Sequence, residues 1–243
     1  MTASAELKRL ARREWPIVFV LMIVASAIWA FIELADEVLE GSTAAIDEAI
    51  LLALRDPADS TQPLGPPWLE EMMRDFTGLG GTGVLTLITL AAAGFLLLHR
   101  KHKAALAVLV AVGIGILLST LVKMGFDRPR PELVPHGSYV YTASFPSGHS
   151  MMSAVVYLTL AAMLARVRPQ WRLRIYILGV AVLVTLLVGV SRVYLGVHWP
   201  SDVLAGWSVG AAWALTCWLA TVLLQRRGGI EPEQDEAGPG DEF

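Results

Sequence analysis

Three cations, two histidines and one carboxylate recur at short spacings in the second half of the chain. Lys123 and Arg130 stand seven apart, Ser147, Gly148 and His149 are consecutive, and Arg192, His198 and Asp202 fall within eleven residues. Lysine and arginine present point charge and planar donors to phosphate oxygens. An imidazole can carry a proton or attack an electrophile, and a carboxylate on its other nitrogen selects the tautomer. Pro146 precedes Ser147, a good N-cap residue, so Gly148 and His149 fall in the first turn of a helix. Backbone N–H groups there lack helical partners and attract anions. Pro200 suits the start of another helix, which puts Asp202 in its first turn with His198 just before it, four residues away and able to hydrogen-bond.

Each element alone has an ordinary structural use. A basic residue at a membrane helix end can snorkel to headgroups, a histidine can cap a helix, and a His–Asp pair can simply brace a turn. Their combination reads as an anion pocket with acid–base chemistry.

The elements that must position these groups span a membrane. The 243 residues are 55% hydrophobic and 17% charged, and the mean hydropathy is +0.56. Soluble proteins carry about 25% charged residues. Six apolar runs approach the ~20 residues that cross a bilayer as helix: 16–34, 79–98, 104–122, 147–165, 173–190 and 203–224. Backbone polar groups cannot go unpaired in lipid, so the fold class is all-α. Gly113, Gly115, Gly206 and Gly210 fit close helix packing. Ala25-Ser26-Ala27 resembles a signal cleavage site, but the run continues through Ile28, Trp29, Phe31 and Ile32, so it is read as a retained span. Cys217 is the only cysteine, which excludes an intramolecular disulfide.

Thirteen of the nineteen Lys and Arg residues lie before the first span, in alternate loops or after the last span. By the positive-inside rule both termini are expected in the cytoplasm. Lys123, Arg130, Ser147, His149, Arg192, His198 and Asp202 then meet at the outer face by topology alone. The first outer loop, 35–78, is acidic and carries two helical stripes, Ile46/Ile50/Leu51/Leu54 and Leu69/Met72/Met73/Phe76. These are expected as short helices at the interface or packed over the bundle's outer end. Residues 1–227 read as a single six-helix domain, and 228–243 as a disordered acidic tail.

Lys123-x6-Arg130-Pro131, Pro146-Ser147-Gly148-His149 and Ser191-Arg192-x5-His198-x3-Asp202 together resemble the three-part signature of the type 2 phosphatidic acid phosphatase family. All three parts match in order. The resemblance covers about residues 15–225 and implies the integral-membrane lipid phosphatase branch rather than soluble haloperoxidase-like relatives. It implies His198 as nucleophile through a phosphohistidine, Asp202 as its orienting partner, and His149 as the acid that protonates the leaving oxygen and later activates water. Lys123, Arg130, Ser147, Gly148 and Arg192 are then expected to bind phosphoryl oxygens. Arg128 and Pro129 fall in the spacer and inherit no role; Arg128 is at most an auxiliary cation.

Three other readings compete. A zinc hydrolase could use His149, His198 and Asp202 as ligands, but three cations oppose a dication and no HExxH or cysteine cluster occurs. An anion transporter could use the same charges, yet they lie near one face rather than mid-span. A lipid phosphotransferase would share the phosphohistidine and pass it to an alcohol. The expectation is a phosphatase without metal or cofactor, acting on a lipid phosphate in a bacterial inner membrane, its site facing the periplasm, with no nucleic-acid partner. Phosphatidic acid, phosphatidylglycerol phosphate, undecaprenyl diphosphate and phosphorylated lipid A all fit such a site; phosphatidic acid and undecaprenyl diphosphate are favoured.

Overall fold

The computed structural model describes residues 3–132, 143–166 and 170–226. The acidic tail expected at 228–243 lies outside the described residues. Helix α1 spans Ala3–Glu40, and α2 spans Ala44–Leu52. A two-stranded antiparallel ribbon follows, β1 Arg55–Asp56 and β2 Asp59–Pro63. Next come α3 Pro67–Leu79, α4 Thr82–Leu98 and α5 His102–Met124. The fourth span joins α6 Gly148–Ser153 to α7 Thr159–Arg166, and α8 Trp171–Tyr194 and α9 Pro200–Arg226 complete the bundle. The chain is helical and integral to the membrane. Among the described residues five helices are long and apolar enough to cross, and a sixth crossing is formed if α3 and α4 count as one span bent by 49°.

That bend refines the second span. The apolar run from 79 is broken at Gly80 and Gly81, and α3 turns away to pack along α8. A Cβ at Gly80 would sit 2.4 Å from Val188 Cγ1 and 3.3 Å from His149 Cβ, so only glycine lets the bend press against α8 and the fourth span. The half-buried face of α3 carries Leu69, Met72, Met73 and Phe76, as its periodicity requires. The stripe on α2 behaves differently. Its buried positions are Asp47 and Leu51, whereas Ile46 and Ile50 are exposed. Leu51 meets Val193 and Val203, and the carboxylate beside it meets polar partners described below.

The ribbon was not expected in an all-helical reading. It places Arg55, buried, where Nη2 donates to Tyr194 O (2.7 Å) at the C-terminal end of α8. A cation there satisfies a carbonyl without a helical partner.

In lipid, helices associate through close packing and internal hydrogen bonds rather than through water exclusion. Cβ atoms at Gly206 and Gly210 would lie 2.6 Å from Ser147 O and 2.5 Å from Met151 O, so α9 rests directly on the backbone of α6. Gly115 likewise lets Val155 approach α5, beside a π-helical turn at Ala154–Leu158. Gly113 does not pack; it faces open space. Half-buried indoles are satisfied, Trp207 Nε1 by Thr185 O (3.1 Å) and Trp213 Nε1 by Ala111 O (2.8 Å).

Candidate active site

Four local structures bring the charged residues together. Helix α5 ends at Met124, leaving Lys123 in its last turn, with Nζ donating to Ala143 O at 3.0 Å. The extended segment after it carries Arg128 and Arg130. Ser147 caps the fourth span, its Oγ accepting from Ser150 Oγ (3.0 Å) and from Ser150 N. Phe145, just upstream, is completely buried and meets Phe126 at 4.6 Å and Phe31 of α1 at 6.0 Å between ring centroids. This aromatic cluster holds the Ser144–Ser147 turn in place.

Helix α8 ends in a paired turn. Gly196 has φ 71°; its N–H donates to Val193 O (2.9 Å), and Val197 N–H donates to Arg192 O (3.1 Å). Glycine suits the left-handed position of this helix stop. The backbone reverses there and delivers His198 beside Arg192 of the helix just ended. Arg130 Nη1 fastens the same turn by donating to Val197 O at 3.0 Å.

His198 is fully buried and held on both nitrogens. Nδ1 lies 3.2 Å from Asp202 Oδ2 and 3.3 Å from Ser144 Oγ. Nε2 lies 3.1 Å from Arg130 Nη1. A guanidinium only donates, so Nε2 must hold the lone pair and Nδ1 the proton. Burial holds the imidazole's pKa down to about 4, with Arg192 and Arg130 adding to the effect and Asp202 opposing it. The ring is therefore neutral at physiological pH. Burial also lowers the Arg130 pKa, with Asp202 opposing it.

Asp202 Oδ2 further accepts from Trp199 N (2.9 Å) and from the Ser144 hydroxyl in a short bond. Its Oδ1 accepts from Arg128 Nη1 at 2.8 Å. The other guanidinium nitrogen, Nη2, reaches Asp47 Oδ2 at 2.7 Å. Asp47 also takes Ser201 N (2.9 Å) and Ser201 Oγ (2.5 Å). Arg128 is thus a bridge between two carboxylates, not an auxiliary cation in the pocket. Trp199 covers it, the guanidinium carbon 5.6 Å from the ring centre.

Six of the expected residues line one cavity of about 650 Å³: Lys123, Arg130, Gly148, His149, Arg192 and His198. Ser147 and Asp202 stand behind its wall, with no exposed surface. Ser147 is committed to capping, and its N–H donates to Asp202 O (2.9 Å), tying the fourth span to α9. Arg192 Nε is buried with no hydrogen-bond partner among the described residues. The polar end of the cavity therefore concentrates positive charge with unspent donors, which suits a phosphoryl group.

The remainder of the cavity is mainly apolar, interrupted by the hydroxyls of Thr82, Thr86, Thr89, Ser119 and Thr120. It runs between α4 and α5 past Leu85, Leu90, Leu109, Val112 and Ile116, with Gly113 opening its wall. From Lys123 back to Leu109 is ~21 Å of helix, well into a hydrocarbon core of ~30 Å.

The model of the PAP2 superfamily matches residues 104–226, which hold every site residue expected from the sequence. This chain belongs to the PAP2 superfamily. Phosphatidylglycerophosphatase B of Bacillus subtilis is 41% identical over 150 residues, 59% of this chain and 71% of that protein. An undecaprenyl-diphosphatase of Sulfolobus acidocaldarius is 34% identical over 121 residues, 48% of this chain and 54% of that protein. The crystal structure of the PAP2 type phosphatidylglycerolphosphate phosphatase of Bacillus subtilis superposes with a TM-score of 0.70 at 31% identity, covering 86% of this chain and 97% of that one. The PAP2 chain described here is accordingly a membrane lipid phosphatase.

Three residues of this PAP2 site carried no expectation from the sequence, Ser144, Asp47 and Ser201, and Arg128 was expected only as an auxiliary cation. Ser144 and Ser201 adjoin recognised motifs and carried a weak signal. Asp47 lies 76 residues before the first motif residue, Lys123, and its only trace is a carboxylate one helical turn before the buried Leu51.

Proposed function

We propose that the chain removes a phosphoryl group from a membrane lipid, phosphatidylglycerol phosphate being the first substrate to test, by way of a phosphohistidine on His198. The observation that carries this reading is the single cavity that joins a cationic, donor-rich end to an apolar groove between α4 and α5. A phosphate headgroup fits the first and an acyl chain the second. The names of the Bacillus subtilis relatives support the choice of lipid. The basic-residue distribution supports cytoplasmic termini and a site facing outward. Residues 1–227 act as one domain in this reading.

Phosphate entry draws Arg130 from Nε2 onto a phosphoryl oxygen, joining Lys123, Arg192 and the first-turn N–H groups at Gly148. Nε2 then attacks phosphorus while the P–O bond to the lipid breaks. His149 gives its proton to the departing alkoxide, so a neutral alcohol leaves. Positive charge on the phosphorylated imidazole is held by Asp202 through Nδ1–H. In the second half, His149 takes a proton from water as its oxygen attacks phosphorus. The N–P bond breaks, and inorganic phosphate leaves with His198 neutral again. Cations and N–H donors stabilise charge on the equatorial oxygens in both steps.

The test is phosphate release by purified protein in detergent across four lipids. These are phosphatidylglycerol phosphate, phosphatidic acid, undecaprenyl diphosphate and a lipid A phosphate, with His198→Ala as control. Release from at least one lipid, abolished in His198→Ala, is the expected result. Activity retained by His198→Ala sinks the nucleophile assignment, and release that depends on an added alcohol acceptor turns the reading to a phosphotransferase.

A further inference from the structure

We infer that Asp47 and Arg128 are positioning residues, and that the first outer loop acts on the reaction by holding the His198–Asp202 pair through them. The inference rests on His198 as the nucleophile.

The geometry is a buried chain of alternating charge. Asp47 on α2 meets Arg128 Nη2 at 2.7 Å, and Arg128 Nη1 meets Asp202 Oδ1 at 2.8 Å. Asp202 Oδ2 meets His198 Nδ1 at 3.2 Å. Side chains of Asp47 and Asp202 are 4% and 0% exposed, and that of Arg128 is 14% exposed. The guanidinium uses separate nitrogens for the two carboxylates, so its planar fork fixes their spacing. A lysine ammonium is a single point charge and cannot hold that spacing. Ser201 hydrogen-bonds both Asp47 and Arg128, which anchors the chain to the first turn of α9, beside Asp202.

The charges decide what this chain does. Asp202 must keep enough negative charge on Oδ2 to hold Nδ1–H and to stabilise the cation that forms when Nε2 bonds phosphorus. A full guanidinium charge on Oδ1 competes with that task. Asp47 balances Arg128 from the far side, so the pair orients Asp202 at small net charge. Lys123, Arg130, His149 and Arg192 approach from the cavity side, so none of them can substitute for Arg128 behind the wall. Neither Asp47 nor Arg128 lines the cavity, so both act through Asp202 and leave phosphate binding alone.

The experiment compares kcat, KM and single-turnover phosphoenzyme formation for Asp47→Asn, Arg128→Gln, Arg128→Lys and the Asp47→Asn/Arg128→Gln double variant, per mole of monodisperse folded protein. A displacement of the nucleophile pair is expected to lower kcat and phosphoenzyme formation roughly 10- to 100-fold in each single variant. KM should stay within about twofold, since the lost group touches no phosphoryl oxygen. The double variant should fall no further than Arg128→Gln, because both changes act through one carboxylate. Arg128→Lys keeps the charge in the fold and decides the matter if Arg128→Gln does not fold. Wild-type kcat in folded Asp47→Asn or Arg128→Lys overturns the inference, as does a raised KM at unchanged kcat or an additive double loss. Those outcomes leave His198→Ala inactive, whereas a failure of the nucleophile reading leaves His198→Ala active.

Discussion

Arg130 donates through Nη1 to Nε2 of His198 at 3.1 Å, and the same nitrogen donates to Val197 O at 3.0 Å. The proposed nucleophile's lone pair is therefore engaged by the cation expected to bind phosphate. In the proposed mechanism, substrate entry exchanges one acceptor for another: the guanidinium moves to a phosphoryl oxygen, and Nε2 becomes free where phosphorus arrives.

Arg130→Ala removes both the latch and a transition-state donor. Losing one such donor lowers turnover by about 10²–10³-fold. Arg130→Lys restores charge but not the planar fork and should recover only part of that loss. Steady-state phosphate release from the detergent-solubilised protein measures both.

The pH dependence follows from His198. An ordinary histidine is about nine-tenths protonated at pH 5.5. His198, with its pKa lowered to about 4, stays neutral there. The acid limb of kcat/KM assigned to His198 should therefore fall near pH 4. The sign for stability is the same: the unfolded chain takes up this proton below about pH 6.5 and the folded chain only below about 4, so His198 costs stability as pH falls across that window. A pH–rate profile with parallel thermal melts tests this, and an acid limb near 6.5 would show the ring to be solvated.

Gly113 offers a test of the groove. A Cβ added there meets nothing within 4 Å, and the position lines the apolar end of the cavity. Gly113→Phe should fill the groove without disturbing α5. We expect at least about tenfold lower kcat/KM for a long-chain lipid phosphate, the size of a 1.4 kcal/mol loss, with a dihexanoyl analogue little affected. Equal loss on both substrates would place the acyl chain elsewhere.

Gly206→Ala tests the contact that joins two parts of the site. The new methyl would lie 2.6 Å from Ser147 O, forcing α9 away from the fourth span one turn below Asp202. Overpacking of this kind costs about 1–3 kcal/mol, which should appear as a lowered melting temperature. Loss of turnover in the folded fraction should accompany it, read by fluorescence melting and phosphate release on the same preparation.

The sequence alone determined the membrane class, the approximate spans and the set of groups that converge. Apolar length and uncompensated charge are properties of the chain, and a bilayer turns them into topology. The helix starts at Ser147 and Pro200 and the His198–Asp202 pair were legible because capping and four-residue spacing are local. Tertiary structure decided what local rules cannot reach. Only the spacing from Lys123 set Arg130 apart from Arg128 in "DRPRP", and it gave Arg128 no role; in the fold Arg128 bridges Asp47 and Asp202 while Arg130 faces the cavity. Asp47 sat in what read as an apolar stripe, and its burial follows only from Arg128 and Ser201 waiting beneath α2. Ser147 was expected to bind phosphate, and the packing of α9 on the fourth span put it behind the wall instead. A side chain's partner in a folded bundle is set by which helices touch and at what height, and that depends on contacts between segments far apart in the chain.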